Sequence, residues 1–162
     1  MNSQDQVIAH LQQLGVDHEI VPCDPALADT AAFCEAYGYS PDDSANTIIV
    51  VGKADTARPV ACVVLASSRL DVNGVVRKRL EVRKASFASA DETMELTGME
   101  IGGVTVFALP TDLPIWIDAA VMDRPRIILG GGSRSIKVLT PPATLTMLDN
   151  ATVVDGLARA RE

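Results

Sequence analysis

The sequence predicts a single domain of the mixed α/β class, and three observations lead to that prediction. The chain has 162 residues, a length typical of one compact domain, so we treat 1–162 as one unit. Short segments rich in β-branched residues alternate with segments whose apolar residues have a helical spacing. Several strands follow one another with only a turn between them, which favours a mixed sheet over a regular doubly wound one.

The first half of the chain opens with a helix, because apolar side chains recur at helical spacing there. Ser3 is a candidate cap for this helix, and Gly15 and Gly38 are candidate ends for the first two helices. Asp71 can cap a third helix. The helices are predicted over 4–14, 30–37 and 72–80, and the strands over 18–22, 46–51, 59–66 and 84–87, with 46–51 and 59–66 paired as a hairpin.

The second half begins with a capping-box pattern, in which Ser89 is followed three residues later by Glu92. The helix that starts there is predicted to end at Gly98. A glycine-containing loop over 100–105 comes next, and a short helix is expected after Thr140, where two prolines suit a first turn. The remaining strands are predicted over 106–109, 115–118, 126–129 and 136–139.

Composition excludes several classes of protein. Apolar residues make up 48% of the chain and charged residues 22%, which is typical of a folded domain and not of a disordered one. No apolar run approaches the ~20 residues of a membrane span, and the amino terminus lacks a secretory pattern, so we expect a cytoplasmic protein with no membrane partner. Three widely spaced cysteines and two isolated histidines predict reduced, buried thiols and structural imidazoles, with no metal site and no cofactor.

Charge is distributed unevenly along the chain. The net charge of −7 argues against indiscriminate nucleic-acid binding, including DNA. Residues 1–52 contain eight acidic residues and no Lys or Arg, whereas 53–162 contain thirteen acidic and fourteen basic residues. Two interpretations of the densest basic cluster stay open, a solvated helix face or a surface that contacts phosphates. The cluster consists of Arg77, Lys78, Arg79, Arg83 and Lys84.

Two glycine-rich segments are candidate binding loops, 102–105 and 130–134. Glycine permits positive φ and lets a ligand approach backbone N–H groups closely. Neither segment matches a P-loop or a dinucleotide-binding fingerprint, so tight turns are the simpler interpretation. Arg134 follows the triple glycine, however, and an arginine beside exposed amides predicts an anion-binding site.

The order and spacing of five segments resemble the YbaK/prolyl-tRNA-synthetase-associated domains, which are aminoacyl-tRNA deacylases that edit mischarged tRNA. The resemblance covers about 7–157. It implies a barrel-like mixed sheet with helices packed outside, and hydrolysis of the ester that joins a wrong amino acid to the 3′ end of tRNA. The segments are NTIIVV, RLDVNGVVRKRL, ASADETMELTGMEIGGV, LPIWIDAAV and GGGSRSIKV.

The resemblance also implies a site, which we predict residue by residue. In the family, catalysis is thought to rest on backbone amides, a bound water, the terminal ribose hydroxyl and a strand lysine, with a small pocket that excludes larger side chains. The catalytic positions are then Asn46, Gly102, Gly103, Val104 and Thr105. The residues predicted to contact the substrate are Phe107, Asp118, Gly131, Gly132, Ser133 and Arg134. The residues predicted to contact tRNA are Arg77, Lys78, Arg79 and Lys84.

This chain departs from the family pattern at the site itself. Asn46 stands where the family carries its lysine, just before the strand threonine. Lys53 cannot replace that lysine, since it lies ~23 Å further along the strand with its side chain on the other face. In the amide loop, Val106 stands in place of a proline and Ala108 in place of a later glycine.

Two functions are therefore compatible with the sequence. The first is an active aminoacyl-tRNA deacylase with a variant site, in which Asn46 holds the substrate and the Thr105 hydroxyl holds water. The second is a family member that has lost the chemistry but still binds tRNA or an aminoacyl-type ligand. A divergent hydrolase of a small ester is a more distant alternative. Position 46 and the 102–108 loop discriminate between them.

Overall fold

The computed structural model describes residues 2–161 and has the mixed α/β organisation that the sequence predicts. Its α-helices are α1 (Ser3–Leu14), α2 (Thr30–Tyr37), α3 (Arg77–Leu80) and α4 (Ala90–Thr97). Its strands are β1 (Glu19–Pro22), β2 (Ala45–Lys53), β3 (Arg58–Leu65), β4 (Ser68–Leu70), β5 (Lys84–Phe87), β6 (Ile115–Asp118), β7 (Ile127–Gly130), β8 (Ile136–Thr140), β9 (Ala151–Val154) and β10 (Ala158–Ala160). Short 3-10 helices are Pro25–Leu27, Pro41–Asp43, Ala119–Asp123 and Pro142–Met147, and Val72–Val76 is a π-helical turn that leads into α3.

The strands of the described chain form three open sheets. The largest has the order β5-β2-β3-β6-β9 and is mixed, since β6 lies parallel to both β3 and β9. The others have the orders β1-β8-β7 and β10-β4. Each sheet ends in edge strands, so the barrel-like closure that the family resemblance implies is not supported. The predicted β2–β3 hairpin is confirmed.

Helix ends follow the local signals closely. Gly15, Gly38 and Gly98 end α1, α2 and α4 in the left-handed conformation, with φ of 67°, 76° and 73°. The capping box at the start of α4 is formed. Asn2 caps α1 in place of the predicted Ser3, because its side chain accepts from the amide of Asp5.

The strand predicted over 106–109 is wrong, because this segment turns inside the protein. Ala108 has φ of 61°, and its amide donates to Nδ1 of His10 at 2.8 Å. Phe107 is fully buried against the same imidazole, with an edge-on ring contact. A contact from α1 therefore overrides the strand propensity of these residues. No strand was predicted from the sequence in the segments that form β4, β9 and β10.

The largest sheet separates two cores. Along β3, Ala61 and Val63 pack on one face against the side that holds α1 and Phe107. Val60 and Cys62 pack on the other face, toward the turn that precedes α3. This alternation is that of a strand buried on both faces. The three cysteines are free and buried, as predicted, and burial raises the pKa of Cys62 to about 12.

Stability is expected to fall in mildly acidic solution because of His10. Burial lowers the pKa of this imidazole, whose Nδ1 must stay unprotonated to accept from Ala108. The unfolded chain then binds the proton more readily, so the free energy of unfolding drops as pH falls below about 6.5. His10→Asn keeps an acceptor near the Nδ1 position but does not titrate. Urea unfolding at about pH 7.5 and about pH 5.5 should show a smaller drop for the variant, and equal drops would contradict this role.

Candidate functional site

A cavity of about 230 Å³ opens beside the first half of β2. β5 pairs only with Val50–Lys53, so Ala45–Ile49 has no ladder partner on that edge among the described residues. The loop after α4, the end of β7 and one side chain of β8 close the space. Among its lining residues are Asn46, Thr47, Gly102, Val104, Gly130 and Lys137. The structure thus brings the predicted Asn46 together with part of the predicted amide loop.

Asn46 is held in a defined orientation at the cavity. The hydroxyl of Thr30 donates to its Oδ1 at 2.7 Å. The carboxamide nitrogen makes no hydrogen bond within residues 2–161, so its two N–H donors remain available. Thr47, the next residue, also lines the cavity, and its hydroxyl is buried with no partner among the described residues.

The amide loop is only partly available for a ligand. Gly103 donates its amide to the carbonyl of Glu100 at 2.9 Å and accepts from the amide of Gly132 at 2.7 Å, so its predicted catalytic amide is already used. The amides of Gly102 and Val104 make no hydrogen bond in the part of the chain that the structure describes, and both residues line the cavity.

Thr105 is not placed to hold a catalytic water. Its side chain is fully buried, and its hydroxyl has no partner within residues 2–161. It is not one of the residues that line the cavity. The structure therefore does not bring this hydroxyl to the cavity, where the prediction needs it.

Glycine is required where the loop packs against the β7–β8 connection. A Cβ on Gly130 would lie 2.2 Å from the carbonyl oxygen of Val104, and one on Gly103 would lie 2.6 Å from the backbone carbon of Ser133. Both distances are shorter than any real Cβ contact. These two glycines allow the backbone of the amide loop to lie close to the backbone of the β7–β8 connection, and the position of the loop depends on them.

Arg134 binds the protein itself. Its Nε donates to the carbonyl of Pro25 at 2.9 Å, and its Nη1 donates to the Ile101 carbonyl at 2.7 Å and pairs with Asp29 at 3.1 Å. It does not line the cavity. These contacts argue against the predicted anion site, because Nε and both N–H groups of Nη1 bind acceptors within the protein.

The rest of that loop is structural as well. A Cβ on Gly131 would lie 2.8 Å from the carbonyl of Ile136, and Gly132 has φ of 91° beside the backbone of Ser3. Ser133 donates its hydroxyl to the side chain of Gln4 at 2.6 Å. The predicted substrate contacts of this segment are thus contacts with the protein.

Two further predicted substrate contacts lie away from the cavity. Phe107 belongs to the core around α1. Asp118 is buried at the end of β6, where its carboxylate accepts from the amide of Ala158. Burial raises its pKa. Neither side chain can contact a ligand in the cavity.

Lys137 is the residue that sequence reasoning missed. Its side chain is 7% exposed, on β8, and its Nζ donates to the carbonyls of Ala28 at 2.7 Å and Gly102 at 2.9 Å. The amine also lies 5.3 Å from the centre of the Phe33 ring. Burial lowers its pKa. A signal was present, since this lysine interrupts an otherwise apolar strand between Ile136 and Val138.

The predicted basic cluster divides into two groups. Arg77 donates to the carbonyl of Asn73 at 2.8 Å, and Arg79 lies 5.2 Å from the centre of the Trp116 ring, so both have internal partners. Lys78 is exposed. Lys84 pairs across the strands with Lys53.

The exposed bases form a surface of their own, which we call the basic surface. Besides the Lys53–Lys84 pair, Arg69 stands directly opposite Arg159 in the β4–β10 pair. Like charges directly opposite each other destabilise a sheet, and Arg159 is offset by its ion pair with Asp71 at 3.0 Å. The two pairs line neighbouring grooves that share Asn73. The basic surface consists of Lys53, Arg69, Arg83, Lys84 and Arg159.

Within residues 2–161, no group of three or more His, Cys, Asp or Glu side chains could hold a metal ion. In the same range, no helix is long and apolar enough to cross a membrane.

The fold and this cavity define a class of protein. A sequence model of the aminoacyl-tRNA editing domain matches 24–148, which is more than half of the chain, so the chain belongs to the aminoacyl-tRNA editing domain family. The crystal structure of hypothetical protein APE2540 superposes with a TM-score of 0.83 at 24% identity, covering 95% of this chain and 99% of the other.

Two other proteins are similar to this chain over most of its length. A structure of a proposed trans-editing enzyme for prolyl-tRNA synthetase has a TM-score of 0.82 at 23% identity, covering 99% of both chains. The uncharacterized protein YwhH of Bacillus subtilis (strain 168) is 23% identical over 144 residues, which is 89% of each chain. At these identities the structural likeness establishes the fold.

Proposed function

We propose that this protein is an aminoacyl-tRNA deacylase that hydrolyses the ester of mischarged tRNA. The observation that carries the proposal is the cavity beside β2, which Asn46, Gly102 and Val104 line together, each with N–H donors that no residue within 2–161 accepts. Donors that converge on one space can stabilise the oxyanion of an acyl-transfer reaction. Family membership supports the same chemistry.

The reaction needs little beyond this arrangement, because an aminoacyl ester is already activated. A water molecule adds to the ester carbonyl carbon, and the carbonyl oxygen becomes an oxyanion that accepts from the loop amides and Asn46. The intermediate then collapses as the bond to the ribose oxygen breaks. That oxygen takes up a proton to balance the one that the attacking water loses, and the free amino acid and the uncharged tRNA leave. Positioning and electrostatic stabilisation are the protein's main contributions.

Selectivity follows from the size of the cavity. Its volume of about 230 Å³ is below the roughly 300–1,000 Å³ of pockets that hold drug-sized ligands. Ile49 and Val104 contribute apolar walls. A small aminoacyl group should therefore enter, whereas a large side chain should be excluded by volume.

The test is release of amino acid from a panel of mischarged tRNAs that spans small to large side chains. Turnover above a no-protein control, strongest for small side chains, supports the proposal. Binding of charged tRNA without turnover on any member would contradict it and favour the second sequence-based function, a binding module without chemistry.

The basic surface is proposed to contact tRNA phosphates. Phe87, whose side chain is 59% exposed, lines the same groove as Arg69 and Arg159, and the next residue, Ala88, lines the catalytic cavity. An exposed aromatic ring beside arginines suits stacking of a single-stranded base. The 3′ end of tRNA could then pass over the end of β5 into the cavity.

Removing charge from this surface should weaken tRNA binding without destabilising the fold. Lys84→Gln eliminates the repulsion with Lys53, so the free energy of unfolding should stay the same or rise slightly. The affinity for tRNA should fall, and the slope of log K against log salt should flatten by about 1. Filter binding at several salt concentrations measures both quantities.

Arg126→Gln is the matched control, because Arg126 is exposed, lies just before β7 and lines neither groove of the basic surface. If Lys84→Gln and Arg126→Gln change affinity and salt slope equally, only net charge matters and the surface assignment is wrong.

A further inference from the structure

The amine of Lys137 sits behind the amide loop in a setting that requires explanation. It is buried on a strand whose neighbours are apolar, and a buried amine costs free energy unless it is paired. The loop it holds is already held by Arg134, which donates to the carbonyl of Ile101, one residue before Gly102. A second cation is therefore not needed to fix the loop alone.

Burial is the largest influence on Lys137 and lowers its pKa, while several contacts act in the opposite direction and favour the charged form. Two carbonyl oxygens accept from it, and the face of the Phe33 ring attracts a cation. Asp29 acts in the same direction, whereas burial and Arg134 act against it. The thiols of Cys23 and Cys34 are the other titratable groups that face the amine.

An ammonium group in this position has one donor to spare. Lysine carries three N–H donors, and two of them bind the carbonyls of Ala28 and Gly102. The side chain also lines the cavity, together with Asn46 and Gly102. The third N–H is therefore available to a group bound there.

We propose that Lys137 is a catalytic residue of this chain, which supplies a positive charge to the cavity from β8. This inference rests on the proposed deacylase function. In the reaction, the third N–H donates to the carbonyl oxygen of the ester as that oxygen becomes negative. The two contacts with backbone carbonyls hold the amine and Gly102 in place.

The experiment compares single-turnover deacylation with tRNA affinity in Lys137 variants. Lys137→Met should lower the rate constant by about 100-fold or more and change the Kd for tRNA by less than about threefold. Asn46→Lys combined with Lys137→Met should regain at least about tenfold of the lost rate, because it restores an ammonium group at the cavity. Arg126→Met, an exposed control, should match the wild type.

Four results would overturn the inference. A Lys137→Met rate within about threefold of wild type excludes a catalytic charge. A loss that Asn46→Lys does not recover, or an equal loss of rate and tRNA affinity, indicates a structural role. If Lys137→Met does not fold, Lys137→Gln takes its place, since it keeps a donor for Gly102 but removes the charge, and an unchanged rate there also contradicts the proposal. Wild-type protein inactive on every mischarged tRNA would instead refute the proposed function.

Discussion

Gly130→Ala is expected to lower the deacylation rate by about 100-fold, because it displaces the amide loop. The new Cβ would lie 2.2 Å from the Val104 carbonyl oxygen and 3.1 Å from the Gly103 carbonyl carbon. Gly130 itself has no positive φ, so the substitution introduces a clash with backbone and no intrinsic strain at its own position. Backbone cannot rotate away as a side chain can, so the loop must move by about an ångström or more, and misplacement on that scale typically costs two orders of magnitude in rate.

Gly156→Ala provides the matched control for that variant. Gly156 lies in the turn between β9 and β10, and a Cβ there would meet nothing within 4 Å. Its φ of 71° makes alanine strained by about 1–2 kcal/mol, so this variant loses stability without any clash near the cavity. Single-turnover rates and urea unfolding on both variants separate the two effects. If Gly156→Ala slows deacylation as much as Gly130→Ala, the loss reflects stability and not loop position.

The parts of the fold that the sequence predicts are those with local causes. Gly15 and Gly38 end helices because glycine enters the left-handed conformation without a steric penalty, and that preference is visible in the chain itself. The β2–β3 hairpin follows from a run of β-branched residues on each side of a short turn. Whether a sheet closes cannot be predicted from local sequence, because closure would require the edge strands β5 and β9 to pair with segments far along the chain.

Errors arise where a distant residue decides the outcome. The segment 106–109 has strand-forming residues, but its conformation is set by His10, 98 residues from Ala108. Arg134 after a triple glycine matches an anion-binding pattern, yet it binds Asp29, 105 residues away. The residue type determines whether a group can donate or accept a hydrogen bond. The fold determines which partner that group contacts.

The candidate site shows the same division. The resemblance located Asn46 and the loop at Gly102 and Val104, because their order and spacing along the chain are the signal. The resemblance assigned no role to Lys137, although this residue lies in the matching segment GGGSRSIKV. Lys137 reaches the cavity from β8, far along the chain from Thr47. Only the three-dimensional arrangement places that amine against the carbonyl of Gly102.

Asn46→Ala is expected to reduce the deacylation rate by about 100-fold while leaving the fold intact, since it removes one aligned donor group from the cavity. Asn46→Asp is the sharper variant. It is nearly the same size and still accepts from the Thr30 hydroxyl, but it replaces the two N–H donors with a negative charge beside the developing oxyanion. We therefore expect Asn46→Asp to be at least as slow as Asn46→Ala.

Thr30→Val, which leaves Asn46 in place but removes its hydrogen bond, should cause a smaller loss of rate. Single-turnover rates on the best tRNA of the panel order the three variants. Activity of Asn46→Asp equal to the wild type would show that the carboxamide donors take no part in the reaction.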